Sequence, residues 1–150
     1  MFINAFFAFL HFLAAFGVVA TVTTEWLTLN RTPSHAEAQR LQRIDMWYGI
    51  FAMLLLVVGF LRVFHFEKGS AFYFSNHFFW IKLALFAVVG LLSIYPTVLF
   101  LGWRKETRQG KAPMLTEPQF LRLRLLLRLE VGLLVVVIFC ASMTAKGIGA

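Results

Sequence analysis

Ionisable residues stand inside long apolar runs of this chain, among them His11 within about residues 5–29, Lys82 within about 77–101 and Glu130 within about 121–145. Charged groups are expensive to place in hydrocarbon, so each is a functional candidate. An imidazole can ligate a metal, a lysine can pair with an anion, and a carboxyl group can carry a proton. The structural alternative is that such side chains are hydrogen-bonded glue between helices.

Helical steps of three, four and seven residues show which side chains share a face with these candidates. From His11 they reach Ala14, Ala15, Val18, Val22 and Glu25, with Thr21 on the flank, while Phe6, Phe9, Phe12 and Phe16 fall largely on other faces. Small residues let helices approach closely, so His11 should point into a bundle. From Lys82 the stripe passes Phe86, Val89, Ser93, Pro96 and Thr97. Pro96 removes one backbone hydrogen bond and is expected to free a carbonyl near Leu92 and Ser93. Glu130 shares its face with Val137, Ala141 and Thr144, opposite Arg124 and Arg128. The glutamate is predicted to face inward and the arginines outward.

The elements that position these residues follow from composition. The chain has 150 residues, 60% of them hydrophobic and 14% charged, with 18 Phe and a mean hydropathy of +0.78. Such values lie outside the soluble range. Four apolar stretches, about 5–29, 45–66, 77–101 and 121–145, are each long enough to cross about 30 Å of hydrocarbon. The expected fold is all-α: an integral membrane four-helix bundle forming a single transmembrane domain over residues 1–150, with no room for a soluble domain.

The net charge of +7 is distributed in a way that points to topology rather than nucleic acid. Arg31, Arg40 and Arg43 occupy the first connection, and Arg104, Lys105, Arg108, Lys111, Arg122 and Arg124 crowd the third. Positive loops stay cytoplasmic. Both termini and the connection at 67–76 are then expected on the non-cytoplasmic side of a bacterial inner (plasma) membrane, in a multi-pass protein. Met1 to Asn4 carries no basic residue and the run that follows is long for a signal-peptide core, so it reads as a retained span. The lone Cys140 allows no disulfide framework and no Cys-x-x-Cys-His attachment, so any haem would be held noncovalently.

Local signals mark the helix ends. Ser34 and Glu37 have capping-box spacing, predicting a second helix from His35 to about Phe66, with Gly69 as its C-terminal cap. His35 should then be a solvated first-turn residue. Asn76 is placed to cap a third helix that runs past Trp103 towards Gly110, and Thr116-Glu117-Pro118-Gln119 repeats the capping-box pattern. Residues 69–75 are aromatic and read as an interfacial belt, or as a lid over a pocket.

Depth sorts the ionisable residues into two groups. His11, Arg62, His65, Glu67, Lys68, His77, Lys82 and Lys146 fall in or near the half that carries the termini. An imidazole among cations suits a haem or porphyrin, with Lys or Arg pairing the propionates. Glu25, Asp45, Arg122 and Glu130 fall in the other half. Carboxyl groups there could handle protons, or form structural ion pairs with Arg43 or Arg122.

The strings Gly59-Phe60-Leu61-Arg62-Val63, Glu67-Lys68-Gly69, Phe79-Trp80-Ile81-Lys82-Leu83 and Gly90-Leu91-Leu92-Ser93-Ile94-Tyr95-Pro96-Thr97 resemble an uncharacterised family of predicted four-helix bacterial membrane proteins, over nearly the whole chain. More distantly, Leu10-His11, Trp80 with Lys82, and Arg128 with Glu130 are similar to the haem-containing, oxygen-independent (HemJ-type) protoporphyrinogen IX oxidases and, in layout, to the CopD copper-resistance membrane domain. The sequence departs from the oxidases at Ala14, Ala15, Phe16 and Gly17, where they usually carry a Trp and a Gly, and in the spacing of Trp80 and Lys82. Met46, Met53, Met114 and Met143 are too dispersed for a CopD-like copper cluster.

That resemblance implies a haem- or porphyrin-binding membrane oxidoreductase. It would carry haem b, with His11 as metal ligand, Arg62 and Lys68 as propionate partners, and Lys82 and Glu130 as catalytic residues. Its partners would be the lipid bilayer, a porphyrin or quinone, and a second copy in a homo-oligomer. The reading from another class is a noncatalytic membrane partner or a small ion- or metal-transport subunit, with Glu25, Glu130 and Lys82 as helix glue or an ion path.

Overall fold

The structure, a computed structural model, describes residues 2–66 and 70–149. Its helices are α1 (Phe2–Thr28), α2 (His35–Leu61), which continues into a π-helical turn (Arg62–Phe66), α3 (Ser70–Ser75), α4 (His77–Gly102), α5 (Arg104–Arg108) and α6 (Glu117–Ala145). No strand occurs among the described residues. α1, α2, α4 and α6 are long and apolar enough to cross a membrane, as the sequence implies.

The helices start where side chains satisfy their first amides. Ser34 Oγ accepts from the Glu37 amide at 3.2 Å, and the Glu37 carboxylate accepts from the Ser34 amide at 2.7 Å. Thr116 and Gln119 repeat this at the head of α6. Ser34→Ala is expected to lower stability by about 1 kcal/mol, read as a shift in thermal unfolding in detergent. Asn76 Oδ1 accepts from the Phe79 amide at 3.1 Å, and Asn76 Nδ2 donates to the Ile148 carbonyl at 3.0 Å. The cap of α4 is thus tied to the end of the chain.

Two helix ends differ from the simple pattern. α2 changes to a π turn at Arg62, whose amide meets the carbonyls of both Gly59 and Val58. A π turn alters the rotation of the side chains that follow it, and Val63 here packs with Tyr73 and Phe79. α4 ends at Gly102, with α5 following at once, and Gly110 then adopts a φ of +73°, the left-handed conformation that suits a stop. Glu67, Lys68 and the expected cap Gly69 lie outside the described residues.

α1 packs along α2, and α4 along α6. These two hairpins join through α1 and α6, while α2 and α4 meet over a shorter stretch. Val18, Val22, Leu41, Val89, Phe100, Leu123, Leu127 and Leu134 fill the centre with Tyr48. The α1 face predicted from His11 is the buried one: Ala14, Val18, Val22 and Glu25 point inward, while Phe6, Phe9, Phe12 and Phe16 are exposed. Large apolar side chains are exposed along every span, which is how a bundle contacts a lipid bilayer.

Candidate functional site

Four helices bring polar groups to one place inside the apolar core. α1 contributes Glu25, α2 contributes Asp45 and Tyr48, α4 contributes Ser93 and Thr97, and α6 contributes Glu130. Each arrives by the spacing of its helix: Glu25 follows Val18 and Val22, Tyr48 lies three residues beyond Asp45, and Glu130 follows Leu123 and Leu127. Glu25 is 2% exposed and Glu130 is 1% exposed. Arg124 and Arg128 face outward, as their spacing predicts, and Arg122 is exposed with them.

Two hydrogen bonds organise the cluster. The Tyr48 hydroxyl donates to Glu130 Oε2 at 3.2 Å, and the Thr97 hydroxyl donates to Asp45 Oδ1 at 2.7 Å. Ser93 lies beside the Tyr48 phenol while donating to the Gly90 carbonyl at 2.8 Å. Glu25 Oε1 and Glu130 Oε1 are buried without a hydrogen-bond partner. Glu25 is close enough to feel the charges of Asp45 and Glu130.

The structural ion pairs expected from Arg43 or Arg122 do not form among the described residues. Arg43 is exposed, and the Arg122 guanidinium lies 5.6 Å from the centre of the Tyr95 ring. Arg31 pairs instead with Glu117 at 3.8 Å, on the surface. The long arginine stems reach aromatic faces and water more cheaply than they enter the core. Arg104, exposed beyond α4, acts on Asp45 only through its field. Carboxylates in an apolar core without a facing cation are costly. The arrangement can lower that cost by holding protons.

The candidates of the other half sit apart from this cluster. His11 lies against α2 at Gly59: a Cβ there would be 3.3 Å from the imidazole Cε1. The Arg62 guanidinium lies 5.9 Å from the Phe12 ring centre, and Lys82 Nζ lies 5.1 Å from that of Phe79 and 6.0 Å from that of Tyr73. At about 1.5 Å per residue, Lys82 lies about 16 Å along α4 from Ser93, the residue beside the Tyr48 phenol that bonds Glu130, so the fold does not bring Lys82 and Glu130 together. Lys68 lies outside the described residues.

The aromatic connection is more ordered than a belt requires. Residues Ser70–Ser75 form α3, whose Tyr73 and Phe74 pack on Phe79 and Trp80, and Trp80 Nε1 donates to the Phe74 carbonyl at 3.0 Å. A cavity of about 320 Å³ lies at the other end, beside Tyr95, Trp103, Glu106 and Gln119. An apolar groove on α2 runs past Met46, Met53 and Val57. Neither is lined by His11, Arg62, Lys82, Glu25 or Glu130.

Sequence reasoning missed Tyr48, Gln42 and Thr107, and misplaced His35. His35 is half-buried, not solvated, because its Nε2 meets the Thr107 carbonyl at 2.8 Å across the first and third connections. The available signal was the spacing of Gln42 and Tyr48, three residues to either side of Asp45 on α2. Among the described residues no three His, Cys, Asp or Glu side chains are grouped closely enough to hold a metal ion.

No curated protein matches the chain, and no solved structure does. The expected likeness to the protoporphyrinogen oxidases and to CopD therefore has no support from these comparisons. A family model does match, described as predicted membrane protein (DUF2214), over residues 3–149. The match runs through all four long helices of the bundle described above, and the chain belongs to this family of membrane proteins.

Proposed function

We propose that this is a proton-handling integral membrane protein of the ion-transport or transport-partner class, seated in a bacterial inner membrane, whose core carboxyl groups take up and release protons. One observation carries this reading: Glu25 Oε1 and Glu130 Oε1 are buried without hydrogen-bond partners, beside a third carboxyl group and, among the described residues, with no arginine or lysine in an ion pair with any of the three. A proton on a carboxyl group removes its charge and turns an acceptor-only group into a donor. Tyr48 and Thr97 hold the two carboxyl groups they touch in fixed orientations and leave Glu25 as the least constrained member.

A hydrophobic carbodiimide tests this directly, since it adds to protonated carboxyl groups inside membranes. Treatment of native membranes followed by peptide mass mapping is expected to find the adduct on Glu25 or Glu130, and Glu25→Gln and Glu130→Gln are expected to remove it. If neither residue is modified at any pH at which the protein stays folded, the reading fails.

Haem binding with a redox role is the second reading. It is favoured by the placement of His11, Arg62 and Lys82 towards one end of the bundle. The His11 ring turns its Cε1 and Nδ1 towards α2 at Gly59, so ligation would have to use Nε2. A Soret band in the mildly extracted protein that disappears in His11→Ala would support it, and a colourless protein would end it.

A further inference from the structure

We propose that the core carboxyl groups exchange protons only with the end of the bundle that carries the first and third connections, here its loop-bearing end, along a polar file that starts at His35. This rests on the proton-handling reading and adds a direction and three residues to it. His35, Gln42, Asp45 and Tyr48 are spaced seven, three and three residues apart and so lie along one side of α2. Their partners extend the file across to α4 and α6.

His35 Nε2 meets the Thr107 carbonyl at 2.8 Å, and the Thr107 hydroxyl lies 3.3 Å from Gln42 Oε1. Gln42 Nε2 donates to the Phe100 carbonyl at 2.9 Å. One turn further in, Thr97 bonds Asp45, and a turn beyond that Tyr48 bonds Glu130. A file of carbonyls, hydroxyls and an amide gives entering water the two to four polar partners it needs. His35 is half-buried where the file meets the surface, and either ring nitrogen of an imidazole can donate or accept a hydrogen bond there.

The file stops at the carboxyl groups. Towards the end that carries Phe2 and Gly149, the next layer is Val18 from α1, Leu55 from α2, Phe86 and Val89 from α4, and Leu134 from α6, all packed together. Such a layer offers water no partner. The groups whose charge bears on exchange are Glu25 on α1, Asp45 and Tyr48 on α2, Glu130 on α6 and Arg104 on α5. α4 faces them with the hydroxyls of Ser93 and Thr97.

The test uses the full chain reconstituted in vesicles of known orientation, with acid jumps applied to one face at a time. The carboxylic C=O stretch, followed by time-resolved infrared spectroscopy, reads protonation of the core. A jump on the loop-bearing face is expected to give a response at least about tenfold faster than one on the opposite face. Gln42→Leu and Thr107→Val are each expected to slow the loop-face response by about tenfold. Equal responses from both faces, or natural rates in both variants, would overturn the direction while leaving the core site intact. If the core band answers neither face, the proton-handling reading falls and takes this inference with it. The comparison of faces needs no variant, so a substitution that fails to fold does not remove the test.

Discussion

Glu25→Leu is expected to raise the stability of the protein by about 1–3 kcal/mol, the cost of a buried polar group left without a partner, and to remove its share of proton uptake. The side chain is 2% exposed, Oε1 has no hydrogen-bond partner, and Val18 and Val22 precede it on the same buried face. Leucine fills a similar volume and needs no partner. Replacing unpaired or paired buried charges by apolar side chains is often stabilising for this reason. A residue kept for function at a cost in stability shows this opposite movement of the two readouts. Thermal unfolding in detergent, with infrared titration of the carboxyl band alongside, measures both. A lower melting point would show that Glu25 holds the bundle together, and would count against a role in proton exchange.

The neighbouring residue Glu130 should behave differently. Its Oε2 accepts from Tyr48, so Glu130→Leu leaves a buried hydroxyl without that acceptor and gains less than Glu25→Leu. The contrast between two glutamates of nearly equal burial is a property of their partners, not of their depth.

Gly17→Ala is expected to destabilise the bundle by about 1–3 kcal/mol, the usual cost of overpacking a close contact. A Cβ at Gly17 would collide with the ring of Phe51, most closely at its Cγ. Because Cγ is the root of the ring, rotation at the tip gives no relief, and α1 must move away from α2. Glu25 lies further along α1 and Asp45 lies on α2, so the same displacement should also disturb the carboxyl cluster. Gly90→Ala is the control: nothing lies within 4 Å of a Cβ there, and alanine in place of a mid-helix glycine is expected to gain up to about 1 kcal/mol. Melting points of the two variants moving in the same direction would refute this account of the α1–α2 contact.

Much of the architecture was legible in the residues. Run length and composition set the four spans, because crossing hydrocarbon requires about 20 apolar residues with every backbone group bonded internally. Ser34 with Glu37, Asn76, and Thr116 with Gln119 marked three helix starts, since capping depends on side chains within one turn. The inward set of α1 and the opposition of Glu130 to Arg124 and Arg128 also followed from spacing, which is a property of a single helix.

The π turn at Arg62 and the short α3 were not legible, because Val63, Tyr73 and Phe79 gain their burial from one another across separate elements. The site followed the same division. Sequence alone singled out Glu25, Asp45 and Glu130 as carboxyl groups at similar depth, but it offered arginines of the same depth as their partners. Tertiary structure decided that those arginines face outward and that Tyr48 reaches Glu130 from a position 82 residues away. It also decided that His35 turns to Thr107 instead of to water, across a separation of 72 residues. Periodicity fixes which face of a helix is buried; the rotation and register of one helix against another depend on how all the side chains between them pack, and only that packing selects which buried polar groups meet.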